Sequence, residues 1–122
     1  MKVLFVEDHR DLIDTMALIA QGFGHQTSCA YDGKTGVMFA SQTIFDVIVL
    51  DMTLPDATGG QICNDIRHGP SHQARIVALS GQFGFETKLD VSGFDMCFRK
   101  PIGIDEFERI FSMENPESLP CR

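Results

Sequence analysis

Tryptophan is absent and tyrosine occurs once, against ten phenylalanines, in a chain of 122 residues. Aromatic content of that kind points to core filling and away from a ring-lined recognition surface. Positive charge is also scarce: ten Lys and Arg face seventeen Asp and Glu, for a formal charge of −7. A protein that binds nucleic acid through its phosphates needs clustered cations to displace counterions, so that class is excluded for this domain. No apolar run approaches the ~20 residues of a membrane span. The opening run Met1 to Val6 meets Glu7 and Asp8 too soon for a secretory signal. The expectation is a soluble, cytoplasmic protein with no membrane contact. Cysteine is present at 29, 63, 97 and 121 but never as a C-x-x-C pair. That spacing offers neither a zinc site nor a dithiol redox motif, and the expectation is free thiols in a reducing compartment.

What is present is a chain with 43 % hydrophobic residues, enough for a core of its own. Three unbroken apolar runs stand out: Val3 to Val6, Val47 to Leu50 and Ile76 to Leu79. Unbroken runs of this length, rich in β-branched residues, indicate strands covered on both faces, as in a parallel sheet. Gln26 to Ala30 and Met96 to Arg99 are weaker candidates that complete a set of five. Between them lie helical patterns. Leu12, Ile13, Met16, Ile19 and Ala20 share one face of a helix over Asp11 to Gly22. Further helices are expected over Lys34 to Ser41, Gly60 to His68, Phe85 to Val91 and Ile104 to Met113. Strand and helix thus alternate five times, which predicts an α/β fold with a parallel sheet and helices on both faces. One domain is expected over residues 1–113. Residues 114–122, with two prolines and little apolar content, read as a tail or the remnant of a linker.

In an open α/β sheet, ligands bind at the carboxyl ends of the strands. Glu7 and Asp8 follow the first apolar run, Asp51 the third strand, Ser80 the fourth, and Lys100 the fifth. Five polar side chains from four strands therefore converge on one edge. Carboxylates packed together repel, and a hard divalent cation relieves that repulsion because it takes oxygen ligands. Acids also sit at strand ends simply because strand ends are wet. Glu7 and Asp8 alone carry little weight; with Asp51 they form a metal site.

At this point the sequence resembles the receiver domain of response regulators, over roughly residues 2 to 113. The resemblance rests on Glu7-Asp8, on Asp51-Met52-Thr53-Leu54-Pro55 with Gly59 eight residues beyond Asp51, on Ser80, and on Lys100-Pro101. It implies a flavodoxin-like sheet of strand order 2-1-3-4-5. It also implies transfer of a phosphoryl group from a sensor histidine kinase or histidine phosphotransfer protein to Asp51, with Mg²⁺ or Mn²⁺ required. On this resemblance Asp8, Asp51 and the Thr53 carbonyl ligate the metal, and Glu7 acts nearby through water. Lys100 pairs with one phosphoryl oxygen and Ser80 hydrogen-bonds another. Pro55 shapes the loop after the nucleophile, Gly59 supplies a positive φ before the third helix, and Lys100-Pro101 is cis. The protein is then no enzyme acting on other molecules, but a signalling phosphoacceptor limited to its own phosphorylation and dephosphorylation. Its partners would be the phosphodonor and a downstream protein or a covalently linked output or kinase domain. A phosphorylation-dependent dimer is left open.

Cys97 departs from the pattern. The family usually places an aromatic three residues before the lysine; here the aromatic is Phe98, which strand alternation points to the opposite face. An output through the loop Gly81 to Phe85 is therefore expected instead, altering the face formed by the helix over 85–91, the fifth strand and the last helix. The four histidines, at 9, 25, 68 and 72, are expected to face solvent. Other classes fit less well. An aspartate-nucleophile phosphatase of the haloacid dehalogenase type wants a second Asp where Thr53 stands. A flavodoxin wants a hydroxyl- and glycine-rich loop where Glu7 and Asp8 stand. A receiver fold kept only for interaction would not need Asp8, Asp51, Ser80 and Lys100 together.

Overall fold

The computed structural model describes residues 1–81 and 93–112. Five strands form one sheet: β1 (Lys2–Val6), β2 (Gln26–Ala30), β3 (Val47–Asp51), β4 (Arg75–Ser80) and β5 (Met96–Arg99). Four helices are described: α1 (Arg10–Gly22), α2 (Gly33–Gln42), α3 (Gly59–Arg67) and α4 (Ile104–Phe111). Every strand pairing is parallel, and the order is β2-β1-β3-β4-β5, as expected. The helix expected over Phe85 to Val91, the loop beyond Gly81, and the tail lie outside the described residues.

The unbroken apolar runs have a direct cause in the layering. Leu4, Val6, Ile48, Leu50, Ile76 and Ala78 pack into one core with Ile62 and Ile66 of α3 and Ala40 of α2. Their neighbours Val3, Phe5, Val47, Val49, Val77 and Leu79 pack into a second core with α1 and α4. Successive side chains point to opposite faces, and both faces are covered, so no polar alternation survives. Each fully buried side chain of the size of Ile13 or Phe107 contributes about 1.5–3 kcal/mol relative to exposure. β2 read weakly because it is an edge strand, with Thr27, Ser28 and Cys29 only half-buried.

Caps fix where the helices begin. The Asp32 carboxylate accepts the Thr35 amide at the start of α2. Thr58 and Gln61 form a reciprocal capping box at the start of α3. His9 is the N-cap of α1, its Nδ1 accepting the Leu12 amide at 3.1 Å. That is a duty the expectation of idle histidines did not include. His25 differs too: half-buried, it packs 4.6 Å from the Phe111 ring. Burial, then the nearby positive N-terminal amine, holds its pKa below the ordinary value. His68 and His72 are exposed as expected. The thiol expectation holds at Cys29 and Cys63 and fails at Cys97, which is disulfide-bonded.

Candidate functional site

The parallel register brings the strand ends level. Asp51 is the last residue of β3 and stands beside Leu79 of β4; Ser80 follows and stands beside Arg99 of β5. The Lys100 amide donates to the Ser80 carbonyl at 2.7 Å, which sets the chain direction at the end of β5. Glu7 continues from β1, its amide held by the Ala30 carbonyl at 3.0 Å. Glu7, Asp8, Asp51, Ser80 and Lys100 thus reach one edge of the sheet from four strands.

The carboxylates of Glu7, Asp8 and Asp51 offer oxygens that all lie within 4.8 Å of one another. Glu7 and Asp51 are 2 % and 4 % exposed, while Asp8 is open to solvent. Lys100 is the cation facing this cluster among the described residues: its Nζ lies 2.5 Å from Glu7 Oε2 and 3.5 Å from Asp51 Oδ1. Glu7 Oε1 accepts the His9 amide at 3.2 Å, and Asp51 Oδ1 accepts the Thr53 amide at 3.2 Å. Burial pushes the Glu7 pKa above the ordinary value; the Lys100 hydrogen bond opposes this and the charge of Asp51 adds to it. Three acids against one ammonium leave a surplus of negative charge in a shielded place. Hard oxygen donors with one open side suit Mg²⁺, which keeps several waters and takes few protein ligands. The donor set therefore fits a divalent cation.

The remaining residues expected at the site take definite places. Thr53 is exposed and bridges Thr58, so the loop after β3 closes into a small ring with Pro55 exposed on it. Ser80 is buried, and its hydroxyl donates to the Gly81 carbonyl at 3.1 Å. The Lys100–Pro101 bond is cis. The positive φ expected of Gly59 is not there; among the described residues only Gly24 and Gly93 have one. Gly59 is required for close approach instead: a Cβ there would lie 2.6 Å from Met52 Sδ and 2.9 Å from Met52 Cα. Cys97 packs toward the α2–α3 side and Phe98 toward the α1–α4 side, as strand alternation required.

Two contacts near the site were not legible beforehand. Arg10, two residues after Asp8, places its guanidinium 4.0 Å from the centre of the Tyr31 ring. Asp56, in the loop after Asp51, accepts the Gly33 and Lys34 amides at 2.8 and 2.9 Å. A clue exists only for the helix start itself, where Asp32 and Thr35 have N-cap spacing. Nothing in the sequence ties Asp56 to residues so far before it.

Comparison with known proteins agrees with this geometry. The sequence profile of the response regulator receiver domain matches residues 3–111. Response regulator ArlR of Staphylococcus saprophyticus is 33 % identical over 106 residues, covering 86 % of this chain and 48 % of its own length. The sensor histidine kinase AtsR of Burkholderia thailandensis is 28 % identical over 92 % of this chain and 19 % of its own. The receiver domain of the Pseudomonas aeruginosa sensor kinase PA1611, solved with magnesium in its active-site cleft, superposes with a TM-score of 0.81. It is 24 % identical and covers 89 % of this chain and 92 % of that domain. This chain belongs to the response regulator receiver family, with its CheY-like, flavodoxin-type fold. It spans about half the length of the ArlR proteins it matches. Among the described residues, no helix is long and apolar enough to cross a membrane.

Proposed function

We propose that Asp51 is the phosphoacceptor of a two-component relay, taking its phosphoryl group from a phosphohistidine of a sensor kinase or histidine phosphotransfer protein. The observation that carries this reading is the buried Asp51, clustered with Glu7 and Asp8 and facing the Lys100 ammonium. Phosphoryl transfer asks a protein mainly for an in-line nucleophile and positive charge on the equatorial oxygens. Asp51 provides the nucleophile: the donor's phosphorus–nitrogen bond breaks as the Asp51 oxygen–phosphorus bond forms, and the departing imidazole keeps the electron pair and gains a proton. Asp8, Asp51 and the Thr53 carbonyl, with Glu7 close by, would hold Mg²⁺ or Mn²⁺, which would supply charge neutralisation at those oxygens. The magnesium in the PA1611 receiver supports the choice of ion for this fold.

Lys100 is poised to leave Glu7 for a phosphoryl oxygen, since its amine already reaches Asp51. Ser80 reaches another oxygen by releasing its bond to the Gly81 carbonyl. The chain acts as a cytoplasmic signalling switch, and its only chemistry is to gain and lose its own phosphoryl group. Its output is a contact with a protein target or with a covalently linked domain of the same polypeptide.

The test is incubation with acetyl phosphate and Mg²⁺ followed by intact mass. Wild type gains one phosphoryl group, removable by hydroxylamine as an acyl phosphate is; Asp51→Asn gains none. Equal labelling of both proteins contradicts the proposal.

A further inference from the structure

The loop between Asp51 and α3 is closed at its neck and fastened at its tip. At the neck, Thr53 bridges Thr58, and the Gly59 amide donates to the Met52 carbonyl at 3.1 Å. At the tip, the two oxygens of Asp56 separately accept the Gly33 and Lys34 amides of the first turn of α2. These are two of the donors that a helix start leaves without a partner inside the helix. α2 does not need Asp56 to be capped, because Asp32 already takes the Thr35 amide by its side chain and the Gly36 amide by its carbonyl. Asp56 is an added tie between two elements.

The fit leaves no room for a substitute. A Cβ on Gly33 would lie 2.6 Å from Ile62 Cδ1 and 3.1 Å from Asp56 Oδ1. The tie therefore depends on a bare backbone at 33 and on α3 packed behind it. The Gly33 and Lys34 amides, in that order, draw the Asp56 pKa below the ordinary value, so the carboxylate stays charged and the tie stays made.

We propose that Asp56 is a positioning residue, holding the Thr53–Thr58 loop in register with the phosphoacceptor and carrying changes at that site to the N-terminus of α2. This rests on the phosphoacceptor reading above. The loop has few ways to move: its neck carries Thr53, whose amide holds Asp51, and its tip is clasped to α2. A shift of the neck when the Thr53 carbonyl engages a cation, or when Asp51 gains a phosphoryl group, must strain or release the clasp. The groove between α2 and α3, lined by Val37, Ala57 and Ile62 beside Gly33 and Asp56, opens at the same point. The reshaped surface is thus on the α2–α3 side. The family's usual aromatic relay has no counterpart there, since Cys97 stands in its place.

The test uses amide NMR on the whole chain, with Mg²⁺ titration and beryllofluoride as the phosphoryl mimic, in wild type, Asp51→Asn, Asp56→Ala and Asp56→Asn. In wild type, Mg²⁺ with beryllofluoride changes exchange at the Gly33 and Lys34 amides by at least about threefold, and Asp51→Asn abolishes that response. Asp56→Ala weakens Mg²⁺ binding by about tenfold, the low end for loss of an outer-shell orienting group, and the two amides stop responding. Asp56→Asn, with one acceptor oxygen left, falls between. The Asp56 variants keep the urea midpoint near that of wild type, which separates positioning from folding. If wild type binds beryllofluoride through Asp51 while the two amides and the Mg²⁺ affinity ignore Asp56, this inference is overturned and the phosphoacceptor reading stands. If wild type and Asp51→Asn respond alike, the phosphoacceptor reading fails and this one with it. Where Asp56→Ala folds poorly, Asp56→Asn, which keeps one acceptor oxygen, carries the comparison.

Discussion

The two ends of the sheet handle charge in opposite ways. At the amino ends of the strands, Arg67, Arg75, Asp46 and Asp95 find their partners in the fold. Arg67 donates to the carbonyls of His72, Ala74 and Gly93 and to the Asp95 carboxylate. Asp95 also accepts the Ile76 amide, Asp46 accepts the Lys2 amide, and Arg75 donates to the Ile110 carbonyl. At the carboxyl ends, three acids face each other and two of them, Glu7 and Asp51, reach one ammonium. One end draws its partners from the fold; the other keeps a surplus of negative charge that fits a divalent cation. Structural polar groups and functional polar groups therefore differ less in residue type than in whether the fold supplies their partners.

Substitutions at each end should break this contrast in opposite directions. The largest effect is at the proposed phosphoacceptor. Asp51→Asn should lose all covalent phosphorylation by acetyl phosphate, read by intact mass, while keeping the fold and its circular dichroism. Next is Arg67→Ala at the amino end. It removes bonds to three carbonyls and a carboxylate and should cost about 2 kcal/mol of unfolding free energy in urea. Phosphorylation should persist in the folded fraction.

Glu7→Gln should act with the reverse sign. It removes one buried negative charge whose pKa is already pushed up, so the metal-free protein should gain about 1 kcal/mol while losing affinity for Mg²⁺. A loss of stability in that variant would mean the Glu7–Lys100 pair holds the fold together and is not held by it. The smallest effect is at His25. Its folded pKa lies below the ordinary value, so the unfolded chain binds the proton first as pH falls. Its share of stability is present above the unfolded pKa of about 6.5 and is lost as pH falls from there through the lower folded value. A His25→Gln variant should flatten the urea midpoint over that range relative to wild type.

How much of this was readable in the sequence follows the same division. The strands were legible because burial on both faces leaves unbroken apolar runs, and Val47 to Leu50 could hardly be anything else. The convergence was legible because Glu7, Asp51 and Ser80 come directly after such runs and Lys100 after the weaker fifth strand, so local order already implies a shared edge. Gly59 was placed correctly and explained wrongly: the need is for clearance against Met52, which depends on how the loop folds back. Asp56 and Arg67 were invisible as contacts. Their partners are fixed by the packing of α2 on α3 and of α3 against the turns before β4 and β5. An isolated Asp in a loop reads the same whether it clasps a helix or faces water. Cys97 showed the absence of an aromatic but not its disulfide, since neither neighbouring residue signals one.

The most direct measurement is the urea unfolding midpoint with and without saturating Mg²⁺, compared across wild type, Asp51→Asn and Arg67→Ala. A ligand that binds only the folded state at 100 times its dissociation constant adds about 2.7 kcal/mol. The account predicts a clear rise in wild type and in Arg67→Ala, and a largely lost rise in Asp51→Asn. An unchanged midpoint in wild type, or an equal rise in all three proteins, would contradict the claim that the carboxyl edge is the end awaiting a cation.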